Sequence, residues 1–221
     1  SVLYFGIFLI VSVFIWIENP QEVIIASGLA GAGIAVALQD FFKNLLGGTL
    51  IFLTSIYRVG DRIEITSKTG DVMDIGILYT TLLEIREWVD GDQATGRITT
   101  IPNGLILNNA VNNYTKDHNF VWDEIVIPVS YSSDWKYAIE RILTIVTSET
   151  QHMTMRAEAE VEQLEEKYYL DRRTMEPNIY VTPTDNWITF NIRYVSETRK
   201  RRIVRDRLSR LFLEVFDKSD K

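Results

Sequence analysis

The 221-residue sequence contains no cysteine, which excludes disulfide staples and thiolate metal sites and points to a cytosolic or membrane-cytosolic setting. Histidine is almost as scarce. His118 and His152 are the only two, and neither has metal-ligand spacing or a carboxylate motif beside it. The nucleophile elbow, the phosphate-binding glycine loop and the zinc-protease helix motif are all missing. No surplus of positive charge exists either. A formal net charge of −7 argues against wholesale nucleic-acid binding, which needs cations to displace phosphate counterions. No enzyme, cofactor or nucleic-acid partner is expected.

Charge is also nearly absent from residues 1–57, where only Glu18, Glu22, Asp40 and Lys43 carry it. Ser1–Ile17 is uncharged and holds Trp16, a residue enriched at membrane interfaces. Its 17 residues sit at the short end of the ~17–25 that cross a bilayer. The chain opens at Ser1 in mid-hydrophobic run, so it reads as a piece of a longer protein. A signal peptide lacks support, because there is no basic n-region and no small-residue cleavage site. Glu18-Asn19-Pro20 makes a turn, and Val23–Leu38 is a second uncharged run in which eight of sixteen residues are Gly or Ala.

Placed on a helix at roughly 100° per residue, Ile25, Leu29 and Val36 fall together, with Ala32 beside them. Ile34 and Leu38 lie opposite. Two small-residue stripes run between, Ala26/Ala30/Gly33/Ala37 on one flank and Gly28/Gly31/Ala35 on the other. A helix that only dimerises needs one small face. Two small flanks suit a helix packed between identical neighbours, which makes a ring around a pore lined by one bulky stripe. A flexible Gly/Ala-rich membrane helix is the plainer alternative. A dinucleotide-binding turn is rejected, because Val36 stands where Gly or Ala belongs and the acidic ribose ligand is missing.

Asp40 is a poor mid-helix residue and a good N-cap, so it is expected to end one helix and cap the next. In that next helix Phe41, Leu45 and Phe52 share an apolar face suited to a membrane surface or a bundle. The loop around Glu18 and Glu22 lacks Lys and Arg, whereas Lys43, Arg58, Arg62 and Lys68 follow the second run. The positive-inside rule then puts the C-terminal region in the cytoplasm.

From Tyr57 onward short strands are expected at Val59–Ile65, Val72–Trp88 and Arg97–Ile101, with turn chemistry at Pro102-Asn103-Gly104 before Leu105–Ala110. They make a small β-barrel or sandwich. Asp90-Gly91-Asp92 lacks the bidentate Glu of a calcium loop and reads as a hairpin loop. Beyond Val121 the order is a strand (Asp123–Ser130), two helices starting near Asp134, strands Ile179–Pro183 and Trp187–Ser196 turned by Asp185-Asn186, and a helix. This is an α+β arrangement. The last helix carries an apolar stripe of Val204, Leu208, Leu211 and Val215. An acidic run (Glu158, Glu160, Glu162, Glu165, Glu166) and a basic run (Arg199–Arg202, Arg205, Arg207, Arg210) read as solvated helix faces able to pair with each other. Binding of RNA or anionic lipid by the basic run is the weaker reading.

Gly31-Ala-Gly-Ile-Ala-Val-Ala-Leu-Gln39, Asn44-Leu-Leu-Gly-Gly48, Tyr57-Arg-Val-Gly-Asp61 and Ile101-Pro-Asn-Gly104, in this order and spacing, resemble the small-conductance mechanosensitive channel (MscS) family. The resemblance covers nearly the whole chain. It implies a homoheptamer in the cell inner (plasma) membrane, in contact with membrane lipids. Residues 1–57 would form a transmembrane region with a kinked Gly/Ala-rich pore helix, preceded by at least one further membrane helix upstream. Residues 58–120 would form an Sm/OB-like β-domain, and 121–221 a ferredoxin-like α+β vestibule domain. It also implies opening under membrane tension and release of ions and small solutes during hypoosmotic shock. By position the family's constricting leucines fall on Ala32 and Val36, so Leu29 or Val36 takes that role. Leu29, Ala32, Val36 and Gln39 are the expected pore lining, and Gly28, Gly31, Gly33, Ala35 and Ala37 the subunit contacts. The family's kink glycine falls on Asp40, where capping would set the bend. A second hypothesis is a membrane-tethered module that binds RNA, lipid or a small ligand; it does not require two small flanks on Val23–Leu38.

Overall fold

The computed structural model describes residues 2–15, 20–89, 91–168 and 174–219. Trp16, Glu18, Asn19 and Asp90 lie outside the described residues, as do the side chains of Glu165 and Glu166. Three helices come first: α1 (Val2–Ile15), α2 (Pro20–Ala37) and α3 (Gln39–Thr54). Pro20 takes the first position of α2, where its missing N–H costs nothing. Ser55 ends α3 in the left-handed region (φ 49°), its N–H donating to the Ile51 carbonyl at 3.0 Å. Among the described residues no single helix is long and apolar enough to cross a membrane, though residues 21–37 and 39–54 qualify as a pair bent by 49°.

An antiparallel five-stranded sheet follows, in the order β4-β3-β2-β1-β5. Its strands are β1 (Arg62–Ile65), β2 (Lys68–Ile75), β3 (Tyr79–Ile85), β4 (Ala94–Pro102) and β5 (Val111–Asn113). Irregularities in register at Val72/Asp74 and Leu83/Ile85 bend it, and β4 and β5 are its edges, so the expected barrel is an open one. The sheet packs on α3. Ile51 joins Tyr57, Ile63, Ile65, Val72, Leu82 and Ile101 in a single core. Glu84 of β3 is buried under Arg97, which donates to both its carboxylate oxygens. The Arg97 hydrogen bonds, outweighing burial and helped by Thr95 and Thr99, hold the Glu84 carboxyl down at about 2.

The second sheet runs β6-β8-β7, antiparallel throughout, from β6 (Phe120–Val129), β7 (Asn178–Pro183) and β8 (Ile188–Glu197). Helix α4 (Trp135–Tyr168) carries the chain from β6 past β8 to β7, the split crossover of a ferredoxin-like unit, and α5 (Arg201–Ser219) follows β8. Ile142 and Val146 of α4, Phe190 and Ile192 of β8, and Leu208 and Phe212 of α5 are buried together.

Several expectations need correction. Val72–Trp88 is two strands, reversed at Gly76, whose N–H donates to the Tyr79 carbonyl. Val59–Gly60 belongs to a turn ahead of β1, and Leu105 begins no strand because Asn103–Leu107 is a 3₁₀ helix. The two expected helices after Asp134 are the single helix α4. On α5 the buried line is Leu208 and Phe212, flanked by Val204 and Phe216, because i, i+4, i+8 tracks the sheet better than the expected i+7 step.

The basic run stays largely exposed, as expected, with only Arg201 partly buried, but its charges reach carboxylates outside the acidic run. Arg201 reaches Asp92 of the first sheet's β3–β4 loop at 2.7 Å and Asp123 of β6 at 2.9 Å. Arg205 reaches Asp123 at 2.8 Å and the Glu124 carbonyl at 2.8 Å. Arg199 donates to the Gly60 carbonyl and approaches Asp71 at 3.4 Å, while Arg202 donates to Gln93. Buried Arg62 of β1 donates to both oxygens of Asp71 at 3.0 Å and to the Thr198 carbonyl. Burial pushes the Asp123 carboxyl up, but the Tyr194 hydroxyl (2.8 Å), Arg201 and Arg205 together leave it below its ordinary value. In the acidic run, Glu160 accepts from the Asn119 N–H at 3.3 Å.

Candidate functional site

Helix α2 is exposed from Ile24 to Ala37. Leu29 and Val36 are 71% and 72% exposed, and Ile24, Ile25 and Ile34 are exposed with them. Ala32, Ala35, Ala37, Gln39 and Asp40 are exposed too. A Cβ built on Gly28, Gly31 or Gly33 meets nothing within 4 Å. Exposure of this much apolar surface on one helix requires another solvent or other chains to cover it.

The break between α2 and α3 falls at Leu38, two residues before the position expected to cap. Leu38 has φ −92° and ψ −3° and makes no side-chain cap. Asp40 lies in the first turn of α3, where a carboxylate faces the positive end of the helix, and pairs with Lys43 at 3.5 Å. The Leu38 N–H still donates to Ile34 (3.0 Å) and the Phe42 N–H to Leu38 (3.1 Å), so the chain turns without abandoning its helical hydrogen bonds.

One side of α3, carrying Asn44, Gly47, Gly48 and Ile51 at i, i+3, i+4 and i+7, sits on the Ile77 and Asn103–Gly104 segments beside the first sheet, with Ile51 reaching its core. Gly47 and Gly48 are there because nothing larger fits. A Cβ on Gly47 would lie 2.2 Å from the Asn103 carbonyl oxygen, and one on Gly48 would lie 2.2 Å from that of Ile77. Helix backbone thus rests on loop backbone. The Asn44 side-chain oxygen accepts the Gly104 N–H at 2.8 Å. Behind it, fully buried Asn103 donates to the carbonyls of Gly76 (2.8 Å) and Ile77 (3.2 Å) and accepts from Thr80 at 2.7 Å. The Thr80 hydroxyl in turn lies 3.0 Å from that of buried Tyr57. Every polar atom of the Asn103 side chain therefore has a partner, as burial requires. The other face of α3, with Phe41, Phe42, Leu46, Phe52 and Leu53, is exposed.

Three of the four sequence motifs converge on this junction. Asn44–Gly48 supplies the helix face, Ile101–Gly104 the loop beneath it, and Tyr57 the hydroxyl at the end of the chain of bonds. The rest of Tyr57–Asp61 is a tight turn: Gly60 has φ +93°, and the Asp61 carboxylate accepts from the Arg58 N–H and from Asn113, both at 2.8 Å. Sequence reasoning missed Thr80 and the Gly76–Ile77 carbonyls. A lone Thr in a strand carries no signal, and a carbonyl has none. It also missed the Asp92 and Asp123 partners of the basic run. Among the described residues no group of His, Asp and Glu is placed to hold a metal.

Residues 40–116 match the family model described as the mechanosensitive ion channel β-domain. An MscS family protein of Buchnera aphidicola (subsp. Baizongia pistaciae) is 31% identical over 131 residues, 59% of this chain and 43% of that protein. One from Synechocystis is 35% identical over 108 residues, 48% of this chain and 33% of that one. The small-conductance mechanosensitive channel of Edwardsiella ictaluri is 28% identical over 122 residues, 55% of this chain and 39% of that one. The chain thus spans less than half the length of these relatives. The crystal structure of Helicobacter pylori MscS in its closed state superposes with a TM-score of 0.66 at 19% identity, covering 95% of this chain and 75% of that one. A cryo-EM structure of Arabidopsis thaliana MSL1 gives 0.62 at 19% identity, with 88% and 61% covered. The structural likeness shows the fold; the resemblance itself rests on the β-domain match and the relatives.

Proposed function

We propose, on the premise that the chain is MscS-like, that it is one subunit of a tension-gated channel in the cell inner membrane. In this reading α2 lines the pore through Leu29, Ala32, Val36 and Gln39, and the C-terminal sheets hang in the cytoplasm. Gly28, Gly31, Gly33, Ala35 and Ala37 pack against neighbouring copies, seven in the ring by resemblance, and the outward stripe meets membrane lipids. The carrying observation is the exposure of α2 from Ile24 to Ala37, with room beside Gly28, Gly31 and Gly33, continuing through a bend into a helix seated by backbone contact.

Membrane tension does work equal to tension times the change in protein area, so it favours whichever state is wider in the bilayer. An apolar ring such as seven copies of Val36 closes a pore by dewetting rather than by blocking it. Widening the ring admits water, and with it ions and small solutes, as hypoosmotic shock would demand. The rival reading, a tethered module that binds through its basic run, is weakened because Arg199, Arg201, Arg202 and Arg205 already have partners within the chain. The test is the full-length protein, purified and inserted in plain lipid bilayers, under suction. Opening without added ligand is expected. Silence up to membrane rupture, with insertion verified, would refute the proposal.

A further inference from the structure

The two sheets share no hydrophobic core. Each buried apolar cluster among the described residues lies wholly on one side of the boundary: one with α3 and the first sheet, the other two with β6–β8, α4 and α5. Much of what joins them is polar, and it converges on the start of α5 and the three residues before it. We propose that this segment, Thr198–Arg205, is an electrostatic latch between the two sheets, and that its hold weakens as ionic strength rises.

The latch has a dry half and a wet half. Asp123 is 2% exposed and anchors Arg201 and Arg205 within the second sheet's own unit. The pairs that cross the boundary are more open. Arg201–Asp92 leaves 26% and 13% of its side chains exposed, and Arg199–Asp71 leaves 49% and 23%. A polar cavity of about 360 Å³, lined by Asp92, Asp123, Arg201, Arg202 and Arg205 among others, opens onto these groups. Water and salt can therefore reach the crossing pairs. The Debye length shrinks from about 10 Å at 0.1 M salt to about 3 Å at 1 M, and solvent-accessible pairs weaken accordingly while buried ones are screened much less. Buried Arg62, which donates to the Thr198 carbonyl, keeps the root of the segment attached. With no apolar contact core beyond it, the first sheet and the start of α5 separate locally once these pairs loosen, and the two folded units persist. The Arg201 guanidinium fits such a switch. Its Nη1 holds Asp92, its Nη2 holds Asp123, and its Nε is buried with no hydrogen-bond partner, so only the dry side retains it when Asp92 is screened away.

The latch stands without the channel reading; only its consequence for gating rests on it. Hydrogen exchange of the full-length protein, followed by mass spectrometry at 0.1 M and 1 M KCl, tests the latch alone. Peptides covering 91–93 and 198–205 should exchange at least about threefold faster at the higher salt, with the Ile142–Val146 peptide unchanged. Asp92→Asn should exchange fast at both salt levels, and Arg199→Gln should do the same in part. Salt-independent protection in the wild type would overturn the proposal. So would Asp92→Asn keeping wild-type protection, or sucrose of equal osmolarity reproducing the salt effect. A suction threshold that shifts with salt on the cytoplasmic side would extend the latch to gating, and a silent protein with salt-sensitive exchange would refute the channel and leave the latch standing.

Discussion

Replacing Gly48 by alanine sets two known effects against each other. In an exposed helix interior the change is worth about 1 kcal/mol of helix propensity in favour of alanine. Here the new methyl would stand 2.2 Å from the Ile77 carbonyl oxygen and 2.9 Å from the Asn103 amide nitrogen. An ordinary carbon–oxygen contact needs more than 3 Å, so α3 must rise off the sheet by roughly 1 Å or the Gly76–Ile77 turn must give way. Overpacking costs about 1–3 kcal/mol, and the upper end applies because the obstacle is backbone with no rotamer to escape into. The net is a loss of roughly 2 kcal/mol, equivalent to about 4–8 °C in Tm for a chain of this size. The lift also strains the Asn44–Gly104 bond, so exchange at the Gly104 amide should rise. Gly47→Ala, facing the Asn103 carbonyl at the same distance, should behave alike. Gly6→Ala, where nothing lies within 4 Å, should lose no stability. Melting of the purified protein and amide exchange decide it. An unchanged or higher Tm for Gly48→Ala would show that the helix seat is slack and the backbone contact incidental.

If α2 lines a pore as proposed, Val36→Ser should hydrate its closed state and give leaky growth or a lower suction threshold, whereas Ile34→Ser should resemble the parent; the reverse pattern would mean the two bulky stripes of α2 are assigned backwards. Glu84 titrates at about 2 when folded against an ordinary 4.5, so its stabilising effect is complete above about pH 4.5 and is lost as pH falls through about 2. Tm measured between those values should fall less steeply for Glu84→Gln than for the wild type, and equal slopes would refute the assignment. The β1–β2 hairpin turns on Thr66 and Ser67, both at positive φ (48° and 65°), a two-residue turn that favours Asn-Gly. Thr66→Asn with Ser67→Gly should therefore stabilise by about 1 kcal/mol, or roughly 2–4 °C in Tm; a lower Tm would count against the turn geometry.

What could be read from the sequence was what is local. The uncharged run of α2 and the turn at Asp185-Asn186 announce themselves within a dozen residues, whereas on α5 the pattern shows an apolar face but places its line one step off, missing Phe212. The reversal between β2 and β3 did not, because Gly76-Ile77-Leu78 sits among apolar residues and carries a single weak turn signal. Helix α4 runs unbroken from Trp135 to Tyr168, since no Gly or Pro interrupts it, although the glutamates from Glu158 onward change its composition. The helix seat was half visible. Its glycines and asparagines stood out as motifs, but Thr80 and Asn103, 23 residues apart, meet only through sheet pairing. The arginines of α5 were the hardest to place, since Asp92 lies far from Arg201 in sequence and pattern reasoning sees a charge without seeing its partner.

The glycine seat of α3 also has a mechanical meaning. A contact made by side chains is compliant, because rotamers and long methylene stems take up displacement before the main chain moves. Gly47 and Gly48 offer no such padding: peptide meets peptide. A load arriving along α2 thus finds a stiff footing at one end of α3 and, at Leu38, an unbraced elbow with no side-chain cap. Deformation concentrates where stiffness is least. In a tension-gated channel the elbow would flex, the footing would carry the force into the loops of the first sheet, and α3 would work as a crank rather than a spring.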